Sequence, residues 1–469
     1  MTAIDANDAM SRARTVALLR DYDRPGPRYT SYPTAVEFSA TFDEQSYRQK
    51  LHEAARASQL PLSLYLHLPF CKERCLFCGC MVIITNKRGV AAQYLDYLQR
   101  EIRALATELG DRRSLAQYHW GGGTPTYLSP DQIEQLHRTV AAEFTLQPGA
   151  EAAIEVDPRV TTREQIALLR QLGFTRLSMG VQDFAPDVQE AINRIQGERE
   201  TIELYSYARQ QGFTSINVDL IYGLPRQRLD SFAATIGSVA SMRPDRIAVY
   251  SFAHVPWIRG NQRAIDESEL PPPELKLELF AEARHQFLAN GYVQIGMDHF
   301  ALPTDELARA SSAGTLHRNF MGYTVKPATD MVGVGVSAIG EVAGAFAQNV
   351  KKLSTYYEAL DAGRFPIERG YALDQDDLIR RHVILGLMCN FTLDIPDTER
   401  RFGIDFGSYF RRELDELRTG PLADGLAAID ANHITIAGDG RMFVRNVSMI
   451  FDKHLRARNS QSPIFSRTV

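Results

Sequence analysis

The stretch Tyr65-Leu-His67-Leu-Pro-Phe-Cys71-Lys-Glu-Arg-Cys75-Leu-Phe-Cys78-Gly-Cys80 holds four of the chain's five cysteines. The first three are spaced C-x3-C-x2-C, which sets three thiolates on one tight loop, suited to three irons of a cubic 4Fe–4S cluster. A cluster with three protein thiolates keeps one iron open for a substrate or cofactor. Three other readings stand beside this one. A disulfide fits poorly with a long chain that shows no secretory signal. A structural zinc site usually splits its ligands into two well-separated pairs. A ferredoxin-like cluster would take Cys80 as its fourth ligand.

Outward from the cysteines, the apolar run Leu62–Leu68 reads as a buried strand. Similar β-rich runs follow at Gln117–Trp120, Ala153–Val156, Arg176–Met179, Ser215–Ile221 and Arg246–Ser251. Helix-like stretches separate them. Residues 91–109 are amphipathic and stop at Gly110, a good residue for ending a helix. Ser129-Pro130-Asp131-Gln132 combines a capping box with a first-turn proline. Thr161-Thr-Arg-Glu164 opens a third helix that ends at Gly173. Six β-then-α units in a row predict an α/β fold with a parallel sheet and helical crossovers. Six units rather than eight point to an incomplete (β/α)6 TIM-like barrel, although an open doubly wound sheet would read the same way.

The unusual residues sit at or just after the C-terminal ends of these runs. The cysteines follow the first, Gly121-Gly-Gly-Thr124 the second, Gln182 the fourth and Ala253 the sixth. Glu155 and Asp157 close the third, and Asp219 lies in the fifth. Parallel barrels build their active sites at that face, so the pattern predicts one site assembled from six loops. No Lys-Ser/Thr follows the glycines, which excludes a phosphate-binding P-loop.

The chain divides into an N-terminal arm (1–55), a barrel with a C-terminal extension (56–350) and a mainly helical, winged-helix-like domain (351–469). In the last, helices are predicted over 351–362, 374–391 and 405–419, then a hairpin with turns at Asp430–His433 and Gly438–Gly440. Cys389 lies in an apolar helical run and reads as core. The arm's Pro27-Arg-Tyr-Thr-Ser-Tyr-Pro33-Thr34 disfavours helix and reads as a surface strap or as a lid over the site.

With 469 residues, 44% hydrophobic and 23% charged, the composition is that of an ordinary soluble globular protein. The formal net charge of −5 gives no basic excess for nucleic acid, and no concentrated basic face appears in the C-terminal region. An anionic substrate must therefore meet a local cluster of Arg or Lys. No apolar run is long enough to span a bilayer, and the first residues, with Asp5 and Asp8, do not form a secretory signal. A cytoplasmic location is expected.

The cysteine motif and the run leading into it resemble the radical S-adenosylmethionine enzymes. Further motifs narrow the resemblance: Cys78-Gly-Cys80, His119-Trp-Gly-Gly-Gly-Thr-Pro125-Thr126, Ile154-Glu-Val-Asp-Pro158-Arg159, Ser178-Met-Gly-Val-Gln-Asp183-Phe184, Asp219-Leu-Ile-Tyr-Gly-Leu-Pro225, Gly296-Met-Asp-His299-Phe300 and His317-Arg-Asn-Phe-Met-Gly-Tyr323. Together with the arm they are similar to the oxygen-independent coproporphyrinogen III oxidases, from Pro27 nearly to the C-terminus. The resemblance implies one 4Fe–4S cluster held by Cys71, Cys75 and Cys78, and two molecules of S-adenosylmethionine. It aligns Tyr65, Phe77, Gly122, Glu155, Ala253 and Ile339 with contacts to the cluster-bound molecule. Gly123, Thr124, Gln182, Arg194 and Asp219 align with contacts to the second. Cys80 matches a fourth cysteine that is not a cluster ligand and is assigned to the substrate site.

The implied reaction is the anaerobic oxidative decarboxylation of two propionates of coproporphyrinogen III to vinyl groups by a 5′-deoxyadenosyl radical, giving protoporphyrinogen IX for haem synthesis. A radical that reactive requires an interior sealed from water and side partners. An electron donor, a terminal electron acceptor and a monomeric state are further expectations. Arg28, Tyr29 and Arg318 are candidates to meet propionate carboxylates, with a structural role equally open. The rival activity is a haem-binding chaperone of the same fold. Such relatives carry Cys-x-Phe in place of Cys78-Gly-Cys80 and lack the arm.

Overall fold

The computed structural model describes residues 14, 17–18, 21–22, 24–57, 60–326, 330–436, 438–458 and 465–466. Residues 1–13, which bear the reading of the N-terminus as free of a secretory signal, lie outside the described residues.

In β1 (Leu62–Leu68) the leucines at 62, 64, 66 and 68 are fully buried against helices, and Ser63, Tyr65 and His67 alternate onto the opposite face. A strand covered on both sides belongs inside a parallel sheet. Five further β-then-α repeats follow: α1 (Arg88–Leu109), β2 (Ser114–Gly122), α2 (Pro130–Glu143), β3 (Thr145–Val156), α3 (Arg163–Gln171), β4 (Arg176–Gln182), α4 (Glu198–Gln210), β5 (Ser215–Tyr222), α5 (Leu229–Met242) and β6 (Arg246–Ser251), with α6 (Pro273–Ala289) after it. Helix α1 ends at Gly110, with φ at +57°. Ser129 and Gln132 form the predicted capping box, whereas α3 is capped by Thr162 with Gln165.

The chain then adds β7 (Val293–Gly296), β8 (His299–Ala301), the hairpin β9 (His317–Asn319) and β10 (Gly322–Thr324), β11 (Asp330–Val334), β12 (Ile339–Val342), β13 (Ala345–Asn349), α7 (Leu353–Asp361) and β14 (Ile367–Ala372). One twelve-stranded sheet results, ordered β14-β13-β12-β11-β1-β2-β3-β4-β5-β6-β8-β7. The strands from β11 to β6 are parallel, and antiparallel strands flank them on both sides. Strands β7 and β14 end the sheet without pairing to each other, so the barrel is incomplete. The sequence reading missed β11, a seventh parallel strand beside β1.

The lumen has two unlike ends. Near the strands' N-terminal ends, Ser63, Gln117, Glu151, Arg176, Ser215 and Arg246 share the face that carries Glu155 and Asp219 further along. Ser63 donates to Gln117 (2.8 Å), and Gln117 donates to Thr324 of β10 (2.9 Å). Arg176 binds both Glu151 and Glu306, and Arg246 binds Asp305 (3.0 Å) and Glu306 (3.2 Å). This end is plugged by a satisfied polar network.

The C-terminal region packs α8 (Gln375–Asn390), α9 (Ile395–Phe402) and shorter helices around their own core, beside a three-stranded sheet that includes the hairpin Ala427–Ile429/His433–Ile436. The single helix predicted over 405–419 is broken into Phe406–Tyr409 and Arg411–Thr419, where Phe410 leaves helical geometry and turns fully buried into that core. Helix Glu44–Ala57 of the arm packs on the barrel through Tyr47, Leu51 and Ala54, while Tyr29 and Tyr32 insert into the C-terminal core.

Candidate active site

The cysteine loop leaves β1 through a short parallel pairing of Phe70–Cys71 with Ile83–Ile84. It is pinned across the mouth of the lumen. Leu76 N–H donates to Ile192 O (2.9 Å), Asn261 donates to Leu76 O (2.8 Å) and Cys78 O (3.1 Å), and Gln262 donates to Phe77 O (3.1 Å) and Ala253 O (3.0 Å). Gln262 thus ties Phe77 to Ala253, two positions aligned with the same ligand.

All five cysteines are free thiols. Cys71 Sγ lies 3.4 Å from Thr124 Oγ1, and burial pushes its thiol up to about 11. Cys75 Sγ accepts from Arg159 (3.5 Å) and Arg194 (3.6 Å). The hydrogen bond shared by Cys78 and Cys80 draws the first thiol down and, with burial, pushes the second up. Cys80 is accessible, as a group in an open lumen is, although the protein around it disfavours its charge. Among the described residues, no three His, Cys, Asp or Glu side chains converge as one ion would require. The irons of a cubane occupy separate corners, so its ligands do not share a single centre.

Beyond the cysteines, the glycines of β2 allow an approach that no other residue permits. A Cβ on Gly121 would fall 2.8 Å from the Glu155 carboxyl, and one on Gly123 2.7 Å from the Pro69 backbone. Gly122 has φ at +117° and donates its N–H to Glu155 (3.1 Å). His119 Nε2 lies 3.3 Å from Glu155, and Tyr65 stacks on the His119 ring at 5.8 Å. The Glu155 side chain is 44% exposed, toward the lumen. Burial alone would raise its carboxyl; His119 and the Gly122 N–H hold it below the usual range. His67 Nε2 faces Met81 O (3.1 Å) and Nδ1 faces Tyr65 OH (3.1 Å), so Nε2 carries the proton and Nδ1 accepts.

Asp219 accepts from Ser178 (3.1 Å) and Asn217 (2.8 Å); burial, reinforced by Glu155, raises it to about 6. Arg194 clamps Asp157 (3.1 and 3.3 Å) and donates to Gly180 O (2.8 Å). Burial raises Asp157, but Arg194 and Arg159 more than offset it. Two buried polar atoms here have no partner: Arg194 Nε and Gln182 Oε1, the latter on a residue with φ at +69°. Buried orphans of this kind mark a place for a polar ligand.

Ile339 opens β12 against Gly333, whose missing Cβ leaves room for Ile339 O. That loop hangs on a buried network. Glu101 accepts from Gly335 N–H (2.7 Å), Tyr356 OH (2.5 Å) and Asn349 (2.6 Å), while Tyr94 OH accepts from Val336 N–H (3.1 Å) and donates to His67 O (2.7 Å).

The structure therefore gathers the cysteines, Tyr65, Phe77, Gly122, Gly123, Thr124, Glu155, Gln182, Arg194, Asp219, Ala253 and Ile339 around the C-terminal ends of the parallel strands. Sequence reasoning gave no role to His119, Asn261, Gln262 or the Glu101 network, placed Asp157 at the site face without a role, and quoted Arg159 only as motif. The His119 and Asp157–Arg159 motifs were a usable signal; the others had none. For two arm residues the structure shows structural contacts, one of the two roles left open for them. Tyr29 OH is engaged with Asp452 (2.9 Å) and buried, which removes it from any substrate. Arg28 sits at the end of β6, paired with Asp298 (2.9 Å) and donating to Ser251 O (3.2 Å). Arg318 lies over the Tyr323 ring at 4.6 Å, in the hairpin that covers the plugged end.

Three thiols and a glycine-lined, carboxylate-bearing lumen define a radical S-adenosylmethionine enzyme. The Radical SAM superfamily model matches residues 65–239, and a HemN C-terminal domain model matches residues 373–443. Oxygen-independent coproporphyrinogen III oxidase of Escherichia coli is 47% identical over 97% of this chain and 98% of its own. The protein of that name from Synechocystis is 43% identical over 96% and 97%. A solved structure of coproporphyrinogen III oxidase (HemN) from E. coli, described as a radical SAM enzyme, superposes with a TM-score of 0.89 at 46% identity, covering 94% of this chain and 99% of that one. The chain belongs to the oxygen-independent coproporphyrinogen III oxidase family.

Proposed function

We propose that this protein converts two propionate side chains of coproporphyrinogen III to vinyl groups without oxygen, giving protoporphyrinogen IX in haem biosynthesis. The observation that carries the reading is the pinned three-cysteine loop at the mouth of a lumen holding Glu155, Asp219 and two orphaned polar atoms. When bound, the 4Fe–4S cluster and S-adenosylmethionine would supply the radical chemistry for the oxidative loss of carbon dioxide from a propionate.

The chain's own groups do the rest. Cys71, Cys75 and Cys78 would hold the cluster, with Arg159 and Arg194 offsetting thiolate charge at Cys75. Glu155, held ionised, accepts from the ammonium of the cofactor, and Gly122 lets its backbone approach. Tyr65, Phe77, Ala253 and Ile339 wall that position. Gln182, Arg194 and Asp219, with Gly123 and Thr124, offer polar groups to a second S-adenosylmethionine. Cys80 is assigned to the substrate site. The plug below excludes water from one end of the lumen.

An electron donor for the cluster, a terminal acceptor, a monomeric state and a cytoplasmic setting complete the reading. Among the described residues, no helix is long and apolar enough to cross a membrane. An anaerobic assay with reconstituted cluster tests the reading: vinyl formation from coproporphyrinogen III, dependent on S-adenosylmethionine and a reductant, supports it. Cofactor cleavage without vinyl product contradicts it.

A further inference from the structure

A cavity of about 570 Å³ lies between the hairpin β9–β10, the strands β11 and β12, and helices α8 and α9. Its size falls in the range of about 300–1,000 Å³ usual for small-molecule sites. Among the described residues, none assigned above to the cluster or to S-adenosylmethionine lines it. Its charge is lopsided for a chain of net charge −5: Arg318, Lys326, Arg381 and Arg401 line it against one carboxylate, Glu341. Glu341 is already bound by Arg381 (2.7 Å). Among the described residues, Lys326 Nζ donates only to a backbone carbonyl, Gly149 O (2.9 Å), and Arg401 lies over the Phe402 ring. Arg318 lies near the Tyr323 hydroxyl and the Asp298 carboxylate, yet two of its buried nitrogens, Nε and Nη1, meet no acceptor among the described residues. A buried guanidinium left this way is costly unless an anion completes it. Between the cations the walls are apolar, from Leu316, Met331, Leu378 and Leu385.

We propose that this cavity is a second, non-catalytic binding site for a carboxylated tetrapyrrole, the class to which substrate and product of the proposed reaction belong. The ligand choice rests on that functional reading. Cations on β9, the loop after β10, α8 and α9, of which only Arg381 is paired with a lining carboxylate, suit carboxylates spread around the rim of an apolar ring, and the apolar walls suit the ring. S-adenosylmethionine, which carries a sulfonium, does not match a cationic lining. Arginine and lysine form charge-assisted bonds with carboxylates.

The test is an anaerobic titration of the holoenzyme with coproporphyrin III, followed by fluorescence quenching, on the parent and on the double variant Lys326→Glu/Arg401→Glu. Neither side chain is part of a buried core, so the variant is expected to fold. The parent is expected to bind two equivalents. In the double variant the second class weakens by roughly tenfold or more, the scale of lost charged hydrogen bonds. Turnover at saturating coproporphyrinogen stays at the parent rate, and coproporphyrin tetramethyl ester does not compete. Unchanged stoichiometry and affinity in the variant overturns the proposal. So does displacement of the second equivalent by inorganic phosphate at equal concentration, or a collapse of turnover in the variant. A parent enzyme that forms no vinyl product counts against the functional reading alone, because the titration decides the cavity independently.

Discussion

The two ends of the barrel lumen use the same strands and opposite bookkeeping of polar groups. At the plugged end, Arg176 binds carboxylates from two elements, Arg246 binds the adjacent Asp305 and Glu306, and Gln117 connects β1, β2 and β10. At the cysteine end, Arg194 Nε and Gln182 Oε1 have no partner, Glu155 is half open to the lumen and Asp219 is pushed up in pKa. A satisfied network stabilises, and an unsatisfied one waits for a ligand. The contrast assigns stability to one end and chemistry to the other.

Substitutions at the two ends break or sharpen that contrast. The largest effect is expected from Arg246→Met. It leaves Asp305 buried without its cation, while Glu306 keeps Arg176, and unfolding by denaturant should show a loss of about 3–5 kcal/mol. S-adenosylmethionine affinity of the folded protein should be unchanged; a binding defect would merge the two ends. Next, Glu155→Gln keeps the shape and removes the charge. Calorimetry should show S-adenosylmethionine binding weakened by about 1.5–3 kcal/mol with little change in melting temperature.

Between the two lies the network behind the wall. Glu101→Gln places an amide N–H against groups that are all donors, Gly335 N–H, Tyr356 OH and Asn349. A stability loss of about 1–3 kcal/mol is expected, with a higher KM for S-adenosylmethionine because the Ile339 loop shifts. Unchanged KM would make the network purely structural.

The smallest effect is a slope with pH. Asp219 has its carboxyl raised from 3.8 to about 6 in the folded protein. Between those values the native state binds more protons than the unfolded chain, so this group's contribution to stability falls as pH rises through that window and levels off above it. Asp219→Asn should remove that part of the pH dependence. An identical stability profile would mean that Asp219 is solvated like an ordinary surface carboxylate.

Legibility in the sequence followed the range of the interactions. β1 and β6 were read with their observed bounds, because apolar runs closed by turn residues carry that information locally. The site face was legible too, since motif residues cluster at strand ends. The Glu101 contact with Gly335 spans 234 positions and the Arg194 clamp on Asp157 spans 37, so neither leaves a local pattern. Strand β11 escaped because it is short and Gly333 interrupts its apolar run, whereas Gly333 is there to let β12 come close. Tyr29 and Tyr32 suggested a lid by composition; their burial in the C-terminal core is a tertiary fact.

The central claim is that three thiolates, and not four, hold the cluster at the open end. Iron and sulfide analysis of the four reconstituted single variants tests it most directly. Cys71→Ser, Cys75→Ser and Cys78→Ser should each lose the cluster, while Cys80→Ser should keep a full complement of iron and sulfide and lose vinyl formation. Loss of the cluster in Cys80→Ser would contradict the account.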